Sequence, residues 1–129
     1  MKIHVIINPA AGSEEPVLFK MNSFFQQHDI DYGVSVTTRK KSALELARQA
    51  LENDVDAIVG YGGDGTMMGI ANALHGTDVP LLIVPGGTAN VLSQELYIPS
   101  TIAKALTLLL PDYGYVDKID MGQYKDSYF

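Results

Sequence analysis

Short apolar runs alternate with amphipathic stretches along nearly the whole chain. Ile3 to Ile7 (IHVII) is a branched apolar run of the kind that makes a buried strand, and Asn8 to Ser13 (NPAAGS) supplies turn chemistry after it. Val17, Leu18, Met21, Phe24, Phe25 and His28 then fall on one stripe of an amphipathic helix. Tyr32 to Thr37 alternates like a strand. Ser42 and Glu45 have the form of a capping box, which predicts a helix running through Leu44, Ala47 and Leu51 to about Asn53. Ala57 to Val59 reads as a third strand. A glycine cluster follows, then a helix beginning near Thr66 with Met67, Ile70, Ala71 and Leu74 as its stripe and Gly76 closing it. Val79 to Val84 is a fourth strand, with Pro80 near its start, where a missing N–H is tolerable. Beyond Pro85 to Asn90 (PGGTAN) the pattern predicts a short helix, then a second one capped by Ser100 and stopped before Pro111. Val116, Ile119, Met121 and Tyr124 suggest extended structure.

Strand and helix alternate without an internal repeat or a low-complexity segment. That order implies one α/β domain: a parallel sheet with right-handed crossovers and helices layered on it. At 129 residues the chain has room for one real core.

Composition narrows the function. No apolar run reaches the roughly 20 residues a membrane-spanning helix needs. The first apolar run is too short and too soon interrupted for a signal peptide. There is no cysteine, so disulfides and thiolate metal sites are excluded, in keeping with a cytoplasmic protein. A formal charge of −6 disfavours a general nucleic-acid or anionic-membrane surface. It leaves room for a local anion site, and Arg39-Lys40-Lys41 is the one basic cluster.

In a parallel sheet the carboxyl ends of all strands lie on one rim, and ligands gather there. The expected strands deliver four segments to it: Asn8 to Ser13, Thr37 to Lys41, Gly60 to Thr66, and Pro85 to Asn90. All are small, polar, glycine-bearing or cationic, whereas the opposite rim carries ordinary connections. Glycines let backbone N–H groups approach phosphate oxygens, and a helix start adds unpaired amides and the positive end of a dipole. Thr66 and Thr88 could cap their helices or donate a hydroxyl to a ligand. Each segment alone is also readable as a plain turn; their coincidence on one rim points to a phosphate cradle.

Asp64 stands in the middle of that cradle. An anion beside phosphate is repulsive unless a cation intervenes, so it either orients Mg²⁺ or accepts a proton from an attacking hydroxyl; its bland alternative is helix capping. Residues 60–65 also satisfy G-x-G-x-x-G. A dinucleotide fold would place that motif after the first strand and an acidic residue at the end of the next one, and neither holds. No Walker A loop and no protein-kinase motif set occurs.

In this order and spacing, NPAAG, Thr38, GGDGT and PGGTANVLSQEL resemble the catalytic domain of diacylglycerol kinases and related bacterial lipid kinases, with sphingosine and ceramide kinases as similar relatives. The resemblance implies an amino-terminal nucleotide-binding domain of phosphofructokinase- and NAD-kinase-like architecture. By position, Asn8, Pro9, Ala10, Ala11, Gly12, Thr38, Gly62, Gly63, Asp64, Gly65, Thr66, Thr88 and Asn90 would contact ATP. Asp64 would lie at the catalytic centre, and Asp120 would join a carboxylate and magnesium network. The implied reaction moves the γ-phosphate of ATP to a primary hydroxyl of a lipid such as diacylglycerol. Peripheral membrane contact and homo-oligomerisation are further expectations; nucleic acid is not an expected partner.

Two departures stand out. Many members carry an acidic residue directly after the Asn of GTxN, where this chain has Val91. The family also continues into a β-rich domain, which is expected to lie beyond Phe129, and the 129-residue piece alone is expected to be inactive or nearly so. A nucleotide-binding regulatory module without catalysis, and an NAD kinase, are the alternatives. His4, His28 and His75 have no ligand spacing and read as structural. Phe24, Phe25, Met67 and Met68 read as packing, and Tyr113, Tyr115, Tyr124 and Tyr128 as surface covered by a further domain.

Overall fold

The computed structural model describes residues 1–9, 17–85, 98 and 101–110, with the backbone alone at 85, 123–124 and 127–128. Four strands, β1 (Lys2–Ile7), β2 (Asp31–Val36), β3 (Ala57–Gly62) and β4 (Leu81–Pro85), form one parallel sheet in the order β2-β1-β3-β4. Helices α1 (Val17–Gln27), α2 (Ala43–Leu51), α3 (Asp64–Leu74) and α4 (Ile102–Leu106) cover it, α4 running on into a 3₁₀ turn, Thr107–Leu109. A two-residue antiparallel pair, Gln123–Tyr124 with Ser127–Tyr128, completes the described elements. The α/β layering is the one the alternating pattern dictates.

Both sheet faces are apolar because alternate residues of each central strand point to opposite sides. Ile3, Val5 and Ile7 face α1 and α4, where Met21, Phe24, Phe25, Ile102 and Leu106 pack against them. Ile6, Ile58 and Ile83 face the other way, onto Leu46, Ala47, Met67 and Ile70 of α2 and α3. The stripe of α1 buries Met21, Phe24 and Phe25, as its spacing predicts, but Leu18 in its first turn and His28 just past its end are exposed. Ser42 caps α2 and accepts from the Glu45 amide at 3.2 Å, the main-chain half of the expected capping box.

Several boundaries differ from the expected ones, each for a local reason. β3 does not stop at Val59 but runs through Gly60, Tyr61 and Gly62, because Gly60 and Tyr61 continue the pairing with Ile6 and Ile7. Tyr61 therefore belongs to the core and not to a loop. A β-carbon on Gly60 would come within 2.8 Å of Met67 Sδ and of Ile70 Cδ1, so this glycine admits α3 close to the sheet. α3 begins at Asp64, two residues before Thr66, and Gly63 is its N-cap. Thr101, not Ser100, caps α4, its hydroxyl accepting from the Lys104 amide. β2 starts one residue early, at Asp31. Gly76 follows the α3 cap at φ +81°, the left-handed turn that its position after the helical stripe predicts. The short helix expected after Asn90 and the extended residues Val116, Ile119 and Met121 lie outside the described residues.

Candidate functional site

Strand order decides where a crevice forms. β1 leads out through α1 to β2 on one side, whereas β3 leads through α3 to β4 on the other. Their carboxyl ends are neighbours, but the helices that follow depart to opposite faces. In doubly wound folds this reversal is where ligands bind. Here the two segments that meet at it are Ile7-Asn8-Pro9 and Gly62-Gly63-Asp64.

Hydrogen bonds tie these segments together. The Asn8 amide donates to the Tyr61 carbonyl at 2.9 Å, carrying the β1–β3 ladder one residue past β1. The side-chain Nδ2 of Asn8 donates to Thr66 Oγ1 at 3.1 Å. Thr66 is the buried polar side chain among the described residues. It is the third helical residue of α3 and does not cap the helix; its hydroxyl is held from below by Asn8. A β-carbon on Gly62 would stand 3.0 Å from Thr66 Oγ1 and 3.1 Å from Asn8 Cβ, so a glycine lets all three converge.

Gly63 and Gly65 differ from Gly60 and Gly62. A β-carbon at either would meet none of the described residues within 4 Å. Neither adopts a positive φ; Gly63 is extended at φ −83°, ψ −176°, and Gly65 is helical. Contacts with the described residues and dihedral angles therefore require glycine at neither position; at Gly65, inside the helix, glycine is about 0.5–1 kcal/mol worse than alanine, whereas at the N-cap Gly63 it is well tolerated. What they provide is open approach to the first turn of α3. Gly63 brings no side-chain cap to that turn's amides. Asp64, half-buried at the first helical position, is not the cap, so the capping role considered for it does not apply; its carboxylate stands at the positive end of the α3 dipole.

The β2–α2 loop reaches the same rim. The Thr37 amide donates to Ile7 O at 2.9 Å, placing the loop beside Asn8. Thr38 Oγ1 accepts from the amides of Lys41 at 3.0 Å and Lys40 at 3.3 Å, and its own amide donates to Lys41 O, folding the cationic triplet into a tight turn. A threonine hydroxyl that accepts twice keeps its proton to donate outward.

The opposite rim is closed on itself. All the left-handed residues among the described ones, Asp29 at φ 58°, Asp54 at 54° and Gly76, lie in its helix-to-strand turns. Lys2 binds Asp56 through its amide and the Asn53 carbonyl through its ammonium, both at 2.7 Å.

Of the residues expected to form the site, the structure brings Asn8, Pro9, Thr38, Gly62, Gly63, Asp64, Gly65 and Thr66 to one rim. Ala10, Ala11, Gly12, Thr88, Asn90 and Asp120 lie outside the described residues. The Asn8–Thr66 bridge has no signature in the sequence, since it joins positions 58 apart. Among the described residues there is no cluster of three metal-ligating side chains and no helix long and apolar enough to cross a membrane.

A parallel α/β sheet with its polar, glycine-opened segments gathered at the strand-order reversal defines the class. Residues 2–124 match the diacylglycerol kinase catalytic domain. The chain is 34% identical over 125 residues to a probable lipid kinase, YegS-like, of Klebsiella pneumoniae, covering 95% of this chain and 41% of the relative. It is 31% identical over 133 residues to a diacylglycerol kinase of Staphylococcus haemolyticus, covering 97% and 38%. A crystal structure of a diacylglycerol kinase from Bacillus anthracis superposes with a TM-score of 0.78 at 29% identity, covering 99% of this chain and 45% of that one. The chain belongs to the diacylglycerol kinase catalytic domain family, and its fold is that of these solved kinases. It spans less than half the length of these relatives.

Proposed function

We propose that this chain is the nucleotide-binding part of an ATP-dependent lipid kinase that phosphorylates a hydroxyl of a diacylglycerol-like acceptor. The observation that carries the reading is the pair Gly63 and Gly65, open to approach as far as the described residues go, at the start of α3 on either side of Asp64, with Gly65 kept inside the helix despite its cost there. Backbone amides reached without side-chain obstruction suit the phosphates of ATP. The Thr38 hydroxyl and Arg39 to Lys41 add a donor and positive charge on the same rim.

In the reaction the acceptor oxygen bonds to the γ-phosphorus as the bond from that phosphorus to the β–γ bridging oxygen breaks, and ADP leaves. Phosphoryl transfer asks the protein mainly for alignment and charge neutralisation. The hydroxyl proton goes to a carboxylate on this rim, for which Asp64 is the described candidate. Oxygen donors of this kind also fit magnesium, which takes one or two carboxylates plus phosphate oxygens and keeps several waters. Asp64 and, outside the described residues, Asp120 would supply such oxygens; when bound, the ion would neutralise phosphate charge.

The lipid acceptor is read from the names of the relatives. The chain's length against theirs leads to a companion proposal, that turnover needs sequence beyond these 129 residues. Calorimetry of the 129-residue chain with ATP and magnesium, alongside labelled-phosphate transfer by the product of the complete reading frame, tests both. Expected are ATP–Mg²⁺ binding by the chain, little turnover from it alone, and transfer to diacylglycerol by the complete product that Asp64→Asn abolishes. Absence of ATP binding, or transfer to NAD in place of lipid, overturns the reading.

A further inference from the structure

A hydroxyl lies in the apolar layer beneath the rim. Tyr61 packs in one cluster with Ile7, Val59 and Val84 and is only 3% exposed. Its register partners, Ile7 on β1 and Val84 on β4, are both apolar. Its carbonyl accepts from the Asn8 amide, but its phenol oxygen has no hydrogen-bond partner among the described residues. Tyr32 shows the contrast, since its hydroxyl bonds to Asn22 Oδ1. A buried hydroxyl left unpaired costs free energy that phenylalanine, with the same ring, avoids. Buried polar groups are nearly always paired, so this one calls for a partner from outside the described chain.

Strand alternation shows where that partner can stand. Ala57, Val59 and Tyr61 point to the face covered by α1 and α4, whereas Gly60 and Gly62 face α3. Tyr61 is the last side chain of its column. Gly63 comes next; its backbone is still extended, at φ −83° and ψ −176°, and it carries no side chain. None of the described residues comes within 4 Å of the place its β-carbon would take. The column above the Tyr61 ring therefore leads to the rim with no described side chain across it. Ile7 and Val84 flank the ring on the neighbouring strands and limit its swing.

We infer that the Tyr61 hydroxyl is a binding contact for the ligand at the strand-order reversal, donating to one of its oxygens from the α1 side. The inference rests on the kinase reading and adds a residue to that site. The opened first turn of α3 faces the ligand from the other side, and Asp64 and Thr66 belong to that turn. The oxygen that accepts is a phosphate oxygen of the nucleotide or the hydroxyl oxygen of the lipid acceptor. Both take an O–H donor, and in an apolar layer such a bond is stronger than in water. A ligand held this way is gripped from both faces of the sheet, which fixes its orientation.

Tyr61→Phe removes the hydroxyl and keeps the ring. In the ligand-free 129-residue chain it should leave the thermal midpoint within about 1 °C or raise it. Tyr32→Phe, which deletes a hydroxyl already bonded to Asn22, should lower the midpoint by about 3 °C or more. Two binding measurements then read the contact: the Kd of the chain for ATP–Mg²⁺, and the KM for diacylglycerol of the product of the complete reading frame. Tyr61→Phe should raise at least one of them by about tenfold. A raised Kd assigns the hydroxyl to a phosphate oxygen, and a raised KM alone assigns it to the acceptor. A midpoint loss in Tyr61→Phe as large as that in Tyr32→Phe overturns the inference, because the hydroxyl is then bonded inside the protein. Kd and KM both unchanged overturn it as well, and with an active wild type they leave the kinase reading standing. A wild type that neither binds ATP nor transfers phosphate sinks both together.

Discussion

The side-chain amide of Asn8 donates to the hydroxyl of the buried Thr66 across 58 positions of sequence, joining the end of β1 to the first turn of α3. The two loops that flank the strand-order reversal are therefore one mechanical unit. Asn8→Ala should cost about 1 kcal/mol in denaturant unfolding, the usual worth of such a bond, and Thr66→Val a similar amount. Combined, they should cost less than their sum, with a coupling on the order of 0.5–1.5 kcal/mol in a double-mutant cycle. Strict additivity would show that the bridge contributes nothing.

The glycines of the cluster should divide into two groups by experiment. Gly62→Ala forces a β-carbon to within 3.0 Å of Thr66 Oγ1 and should destabilise the chain by about 1–3 kcal/mol. Gly65→Ala meets none of the described residues in a helical position and should stabilise the chain by about 0.5–1 kcal/mol. The same Gly65→Ala should weaken ATP–Mg²⁺ binding by about tenfold or more. A variant both more stable and fully able to bind would remove the glycine argument for the site.

His4 predicts an acid-side loss of stability. Burial lowers its pKa below the ordinary value of 6.5, and its Nε2 lies 2.7 Å from Ser35 Oγ. The unfolded chain thus binds a proton at a pH where the folded chain still does not. Stability rises with pH through that interval, is fully present above about 6.5, and falls as acid pulls the unfolded state ahead. His4→Gln should flatten this part of the pH profile, read as unfolding midpoints between about pH 5 and 8. An unchanged slope would assign the acid sensitivity elsewhere.

Left-handed turns on the closed rim give a fourth expectation. Gly76, at φ +81°, cannot accept a side chain without strain, so Gly76→Ala should cost about 1 kcal/mol. Asp54→Gly, at φ 54°, should be neutral or slightly stabilising. Nucleotide binding should be untouched in both, because these turns are at the far ends of the strands.

Periodicity located the layers because each helix shows a clear inward stripe: Met21, Phe24 and Phe25 were legible from spacing alone. The rim was legible too, since parallel strands dictate that Asn8, Thr38 and Asp64 emerge on one side. What local pattern could not supply was the reason for each glycine. Gly60 answers to Met67 and Ile70, Gly62 to Asn8 and Thr66, and only three-dimensional neighbours separate these from Gly63 and Gly65. α3 also starts two residues before Thr66: that residue looks like a cap in sequence, yet it sits in the first turn with its hydroxyl bonded to Asn8.

The reversal between β1 and β3 also bears on how such a chain can change over generations. Because α1 and α3 leave in opposite directions, the notch between them is a product of connectivity, and no side chain has to hold it open. Bordering positions that none of the described residues crowd, such as Gly65, can be exchanged with less disturbance to the layers beneath than Gly62, which is packed against Thr66 and Asn8. What the notch presents can thus be altered at such positions while the scaffold stays intact.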